Sequence, residues 1–234
     1  MVNCLDFNQY NRDAYVARIA KTVPRGARVL DVGVGTGRYS KLFEHCQYQT
    51  QDFKRYQGDE ESFLREDWHY AKIDYVSDIT AIPVSDQSFD FVLCTEVLEH
   101  VPEPIKAIKE IARILKKGGK ILITAPLGSG LHQKPYHFYG GFTPFFYRKF
   151  LPESGLKIIK IKPNGGFLKH FVQESGRVYD WLIKSAGYKK FDPRRWLIRF
   201  VFRFFIPRFL YSKDEKYFLE DFTVGFFVLA EKES

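Results

Sequence analysis

The sequence is poor in sulfur, with three cysteines and one methionine in 234 residues. Cys4, Cys46 and Cys94 are odd in number, widely spaced and without a Cys-x-x-Cys pair, which argues against a disulfide framework and a thiolate zinc site. No uncharged run approaches the roughly 20 residues that span a bilayer. The mixed stretch from Met1 to Tyr10 lacks the form of a signal peptide. Internal repeats and low-complexity segments are missing too. The expectation is a cytoplasmic protein, with attachment to a membrane surface as the alternative.

What is present is apolar and basic. Hydrophobic residues make up 45% of the chain, enough for a sizeable core in one α/β domain with an elaboration, or at most two small domains. Aromatics reach 17% and concentrate in the second half. The net charge of +8 fits either an anionic partner or an ordinary basic surface, since the cations are spread along the chain.

The most informative stretch runs from Val29 to Ser40. An apolar strand, Val29–Val32, breaks at Gly33, and Gly35 and Gly37 follow at every second position. Such glycines let backbone approach a ligand where a Cβ would collide. A helix expected over Tyr39–Cys46 would offer free N–H groups to an anion. The dinucleotide fingerprint Gly-x-Gly-x-x-Gly is not met, because Arg38 stands where its third glycine belongs. What stands there is Asp-x-Gly-x-Gly-x-Gly, Asp31 to Gly37. It resembles the first motif of the class I S-adenosylmethionine (SAM) dependent methyltransferases. That resemblance implies a turn wrapping the methionine end of the cofactor, with Asp31 supporting it.

Further motifs extend the likeness. Tyr48–Asp52 reads as a second strand ending in an acid, placed for ribose hydroxyls; a solvated loop is the competing reading of Asp52. Lys54 to Tyr70 is charged and reads as a surface connection with some helix. Ile73–Val76 reads as a third strand, followed by Asp78 and Ile79, where the resembling family contacts adenine; a helix cap is the alternative for Asp78. Ser88–Thr95 is a short apolar fourth strand, Glu103–Lys117 an amphipathic helix closed by glycines, and Lys120–Ala125 a fifth strand. In this order the motifs resemble the methyltransferase core from about Ala27 to Pro126. The implied fold is a doubly wound, Rossmann-like α/β sheet of seven strands, with a helical cover inserted over 163–221 before the last strand. The implied cofactor contacts are Asp31, Gly33, Gly35, Gly37, Asp52, Asp78, Ile79 and Thr95.

Methyl transfer to a hydroxyl needs alignment and a proton acceptor. His100, after the fourth strand, and His132 and His137, after the fifth, are candidates, with His100 and His137 taken as catalytic. If a helical turn begins near Glu96, then Glu96, Glu99 and His100 share a face that suits Mg²⁺ or Mn²⁺. This Glu-x-x-Glu-His pattern resembles that of small-RNA 3′-terminal 2′-O-methyltransferases and some ubiquinone-pathway O-methyltransferases, which implies His137 as a further ligand. The competing reading has the Glu-His pair orient the loop or touch the cofactor.

Arg195, Arg199 and Arg203 recur among Trp196, Leu197, Phe200, Val201, Phe204 and Phe205. The segment Arg194–Leu210 reads either as a membrane-surface helix or as a lid packing its aromatics on a core or dimer contact. The expected activity is methyl transfer from SAM to an oxygen of a small, sugar- or lipid-linked acceptor. The alternatives are RNA 2′-O-methylation, less supported because no clustered basic groove is seen elsewhere, and a non-catalytic SAM-binding, membrane-peripheral protein.

Overall fold

A computed structural model describes residues 4–58, 68–189 and 191–233. Residues 59–67 of the charged connection between Lys54 and Tyr70 therefore lie outside the described residues. Two compact units emerge, Asp13–Lys162 with Gly225–Ser234, and Met1–Arg12 with Pro163–Val224.

The larger unit is built on β1 (Arg28–Val32), β2 (Gln47–Asp52), β3 (Tyr75–Val76), β4 (Phe89–Thr95), β5 (Leu115–Pro126), β6 (Leu156–Pro163) and β7 (Gly225–Lys232). They form one seven-stranded sheet in the order β3-β2-β1-β4-β5-β7-β6. The ladders among β1 to β5 are parallel, and β7 runs antiparallel to β5. Side chains alternate between the two faces of a strand, and the sequence exploits this. Leu30, Val32, Val92, Cys94, Ile121 and Ile123 enter one core, joined by Ala107, Ile108 and Ile111 of α2 (Pro104–Ile114). Val29, Phe91, Leu93 and Leu122 enter the other, joined by Tyr15, Val16 and Ile19 of α1 (Phe7–Ala20). Burial on both faces explains why these strands read as continuous apolar runs.

β2 is the exception, polar yet buried toward its end. Its neighbour β3 is only two residues long, so side chains replace part of the missing ladder. The Thr50 hydroxyl donates to the Lys72 carbonyl at 2.9 Å, and the Gln51 amide to that of Ser77 at 2.6 Å.

Two expected elements differ. The helix over Tyr39–Cys46 is a single 3-10 turn, Ser40–Phe43. The chain must return from Gly37 to β2 at Gln47, and Arg38 and Tyr39 are held by Asp13 on the way, at 2.6 and 3.1 Å. Likewise α2 ends at Ile114, and the Lys116–Gly119 run lies inside β5, where the register with β4 shifts between Phe89 and Phe91.

In the smaller unit, residues 163–221 are largely helical, as the sequence suggests. After α3 (Pro144–Phe150) of the larger unit, the smaller one holds α4 (Phe167–Ala186), then α5 (Pro193–Arg199), a π turn over Phe200–Phe205, and α6 (Ile206–Leu210). Pro207 has no N–H to donate back in π register. The Phe202 carbonyl is satisfied instead by the Ser175 hydroxyl of α4, at 3.0 Å.

Candidate active site

The carboxyl ends of parallel strands gather the loops that bind ligands in open α/β sheets. Here they open onto a cavity of about 210 Å³ whose lining includes Gly33 and Gly35 after β1, Asp52 ending β2, Asp78 and Ile79 after β3, and Glu96 and His100 after β4. Of the other predicted site residues, Asp31, Gly37, Thr95, Glu99 and His137 are not among the described lining residues.

The glycine turn is dictated by backbone and by space. Gly33 and Gly35 have φ of 64° and 50°, where a Cβ is strained. A Cβ on Gly33 would lie 2.5 Å from the Val97 side chain, and one on Gly35 would lie 3.0 Å from Trp68. No helix N-terminus follows the turn, since only the 3-10 turn is there. Backbone and carboxylates instead define the polar character of this wall.

Asp52 is buried, not a solvated loop residue. Its Oδ2 accepts from the Gly35 N–H at 3.0 Å and its Oδ1 from that of Lys54 at 2.9 Å. A carboxylate has about four acceptor sites, so capacity remains on Asp52 for hydroxyl donors. Burial nevertheless pushes its pKa up. Asp31, directly beneath the turn, accepts from the Tyr48 hydroxyl at 2.6 Å. Burial, with the Asp52 charge nearby, raises its pKa to about 7, although the Tyr48 hydrogen bond pulls the other way. Asp78 is exposed, and its Oδ1 accepts from both the N–H and the hydroxyl of Thr80, at 2.9 and 2.8 Å. It therefore caps its own turn and also lines the cavity.

Glu96 does not begin a helical turn. It has φ of 53°, and its Oε1 accepts from the Thr124 hydroxyl at 2.7 Å. The 3-10 turn over Leu98–His100 follows. His100 is fixed by its Nδ1, which lies 2.7 Å from the Tyr136 carbonyl. A carbonyl only accepts, so Nδ1 carries the proton and Nε2 keeps a lone pair. Burial lowers the pKa of His100 to about 4, with His132 and His137 adding to the effect against the pull of the Tyr136 hydrogen bond. The Glu99 carbonyl accepts from the N–H groups of Phe138 and Tyr139, at 2.9 and 3.2 Å, which pins the histidine-bearing loop to this turn.

The three imidazoles cluster. Ring centroids of His100 and His132 are 4.8 Å apart, and those of His132 and His137 4.5 Å. Ligand atoms of Glu99, His100 and His132 lie within 4.8 Å of one another. Glu96 and His137 stand outside that group; His137 Nε2 is 3.1 Å from the Ser129 hydroxyl. Thr95 sits in the ladder opposite Thr124.

Tyr136 and Phe138 come from the stretch 135–143, where the resembling family places its substrate-facing loop, whereas Phe53, Tyr56 and Trp68 of the lining were not anticipated from the sequence. Tyr56, Trp68 and Tyr70 meet edge to face, at 5.0 and 5.7 Å between centroids. Their one signal was an aromatic set inside a highly charged stretch.

A family model described as a methyltransferase domain matches residues 6–190. The chain belongs to the methyltransferase-domain family. Its fold is that of the class I, SAM-dependent methyltransferases. It is similar to a ubiquinone biosynthesis O-methyltransferase of Xanthomonas oryzae pv. oryzae, 37% identical over 42% of this chain and 43% of that protein. It is also similar to a demethylmenaquinone methyltransferase of Renibacterium salmoninarum, 37% identical over 42% of this chain and 40% of that one. The chain thus spans less than half the length of these two curated relatives. Among solved structures, phosphoethanolamine N-methyltransferase 2 of Haemonchus contortus in complex with SAM superposes with a TM-score of 0.56 at 20% identity, covering 96% of this chain and 53% of that one. At that identity the likeness speaks for the fold alone.

Proposed function

We propose that this chain methylates an oxygen of a small, sugar- or lipid-linked acceptor, using SAM, in the cavity at the carboxyl ends of β1 to β4. The supporting observation is that a tight glycine turn, a buried acid with spare acceptor sites and an imidazole with an available lone pair line one cavity. Gly33 and Gly35 admit the amino acid half of the donor against bare backbone, while Asp31, beneath, holds the turn. Asp52 takes the ribose hydroxyls. Asp78, whose Oδ1 is bound to Thr80, would keep Oδ2 to accept from the adenine amino group, with Ile79 beside it in the lining.

SAM supplies a methyl on a sulfonium; as the acceptor oxygen bonds that carbon, the carbon–sulfur bond breaks and S-adenosylhomocysteine leaves. The chain's part is to align acceptor and donor, exclude water and remove the acceptor's proton. Nε2 of His100 takes that proton, since its Nδ1 proton is committed to Tyr136. The aromatic walls from Tyr136 and Phe138 suit a flat or lipophilic acceptor. The name of the Xanthomonas oryzae relative supports transfer to oxygen.

The test is label transfer from methyl-labelled SAM to a panel comprising a catechol, a prenylated phenol and a sugar alcohol, by wild type and His100→Gln. Label on oxygen, falling by a factor of about 10² to 10⁴ in the variant, supports the reading. Label on nitrogen or carbon, or no effect of His100→Gln, refutes the oxygen-and-base part.

A second reading replaces His100 as base: the Glu99–His100–His132 group favours a divalent cation beside the cavity, which would occupy the Nε2 lone pair of His100. A carboxylate and two imidazoles suit Mn²⁺ better than Mg²⁺, which prefers an all-oxygen shell. Titration calorimetry with MnCl₂ should give one site in wild type and none in His132→Ala. Equal heats in both would end the idea.

A further inference from the structure

The segment Pro193–Lys213 carries six cations, Arg194, Arg195, Arg199, Arg203, Arg208 and Lys213, and no acid. The sequence left open whether its aromatics are packed away. They are not: Trp196, Leu197, Phe200, Phe204, Phe205 and Phe209 are each more than half exposed. The segment does have an inner side, where Pro207 is buried and Ser175 holds the Phe202 carbonyl, so the exposed side is a built surface and not a frayed one.

The exposed rings form a continuous ladder. Phe200 stacks on Phe204 at 5.6 Å and on Phe205 at 6.4 Å, and Phe205 stacks on Phe209 at 5.7 Å with planes 7° apart. The π turn makes the Phe200–Phe205 contact, because its wider winding brings residues five apart onto one side. Cations frame the ladder: Lys213 Nζ sits 3.3 Å from the Phe209 ring centre and the Arg208 guanidinium 5.9 Å from that of Phe204. Arg203 pairs with Asp180 and Arg194 with Asp192. Among the described residues, Arg199 and Arg208 have no carboxylate partner.

We infer that this face of the smaller unit docks on an anionic lipid bilayer, aromatic rings entering the headgroup region and the arginines meeting lipid phosphates. Charge complementarity selects this occupant. A second copy of the chain would set the same cations against themselves, with no acid between Pro193 and Lys213 to answer them. Exposed tryptophan and phenylalanine with a basic rim is what interfacial anchors require. Among the described residues no helix is long and apolar enough to cross a membrane, so the mode is attachment to one leaflet. The inference does not rest on the methyl-transfer reading.

The experiment is flotation of the full chain with vesicles of phosphatidylcholine alone and of phosphatidylcholine with phosphatidylglycerol in equal parts. Wild type should float with the anionic vesicles only, and added salt should weaken binding as it screens the charges. Each cation removed should cost about fivefold, so Arg199→Gln/Arg208→Gln should bind roughly 25-fold more weakly. Trp196→Ser/Phe204→Ser should also weaken it while the circular dichroism spectrum is unchanged. Folded wild type that floats with neither vesicle overturns the inference. So does binding equal for both vesicles and insensitive to the arginines. A dimer closed by this face that anionic vesicles do not dissociate would assign the surface to a second copy instead.

Discussion

Phe43, Phe89 and Phe91 lie buried in the sheet unit, whereas Phe200, Phe204, Phe205 and Phe209 are each about half exposed. The same side chain meets opposite fates because the two local periods differ. In β4 both faces are covered and the register shift between Phe89 and Phe91 sends one ring into each core, so every position has a core to enter. In the segment after Pro193 large apolar residues occupy so many adjacent helical positions that one inward stripe cannot take them all. Burying a phenylalanine fully is worth about 1.5–3 kcal/mol, so an exposed ladder is a standing cost to the free chain that an external apolar phase would relieve. The first region spends its aromatics on stability, the second on a surface.

Substitutions sharpen the contrast. Phe43→Ala should destabilise the chain by about 3–5 kcal/mol, read as a shift in the chemical denaturation midpoint. Gly33→Ala should be nearly as damaging: strain at positive φ and a Cβ 2.5 Å from Val97 together cost about 3 kcal/mol of stability, read from the same denaturation midpoint.

Asp31 adds a pH dependence. Its folded pKa of about 7 stands above the ordinary carboxylate value of 3.8. Between those values the folded chain keeps a proton that the unfolded chain has lost, so stability falls as pH rises through that window. The slope should approach on the order of 1 kcal/mol per pH unit. Asp31→Asn should remove that part of it, which denaturation midpoints at pH 5 and pH 8 would show as a smaller loss in the variant. Phe204→Ser completes the series, with an expected stability change within about 0.5 kcal/mol. A loss as large as that of Phe43→Ala would mean the exposed ladder is part of a core after all.

The legible parts of the sequence were those set by a short-range rule. Gly33, Gly35 and Asp52 were readable because a turn between strand and loop admits few residue types, and the apolar strands because of their alternation and length. The turn after Gly37 misled, since Tyr39–Cys46 has an acceptable helical pattern but too little chain to form a helix and still reach Gln47. The geometry around Glu96 was illegible for a similar reason: a positive φ on a glutamate is set by what surrounds it, here Thr124 from a neighbouring strand. Phe53, Tyr56 and Trp68 reach the cavity through tertiary contacts that no spacing along the chain records. The exposure of the aromatic ladder was undecidable from pattern alone, because an amphipathic stripe does not say what it faces.

The turn after β1 and the acid ending β2 are proposed to hold the two parts of a sulfonium nucleoside donor. Titration calorimetry of S-adenosylhomocysteine into wild type and Asp52→Asn tests it directly. Wild type should show one saturable site and the variant an affinity roughly 10- to 100-fold lower, from the loss of a charged hydrogen-bond acceptor. No binding heat in a wild type that is folded by circular dichroism, or equal affinity in both chains, would contradict it.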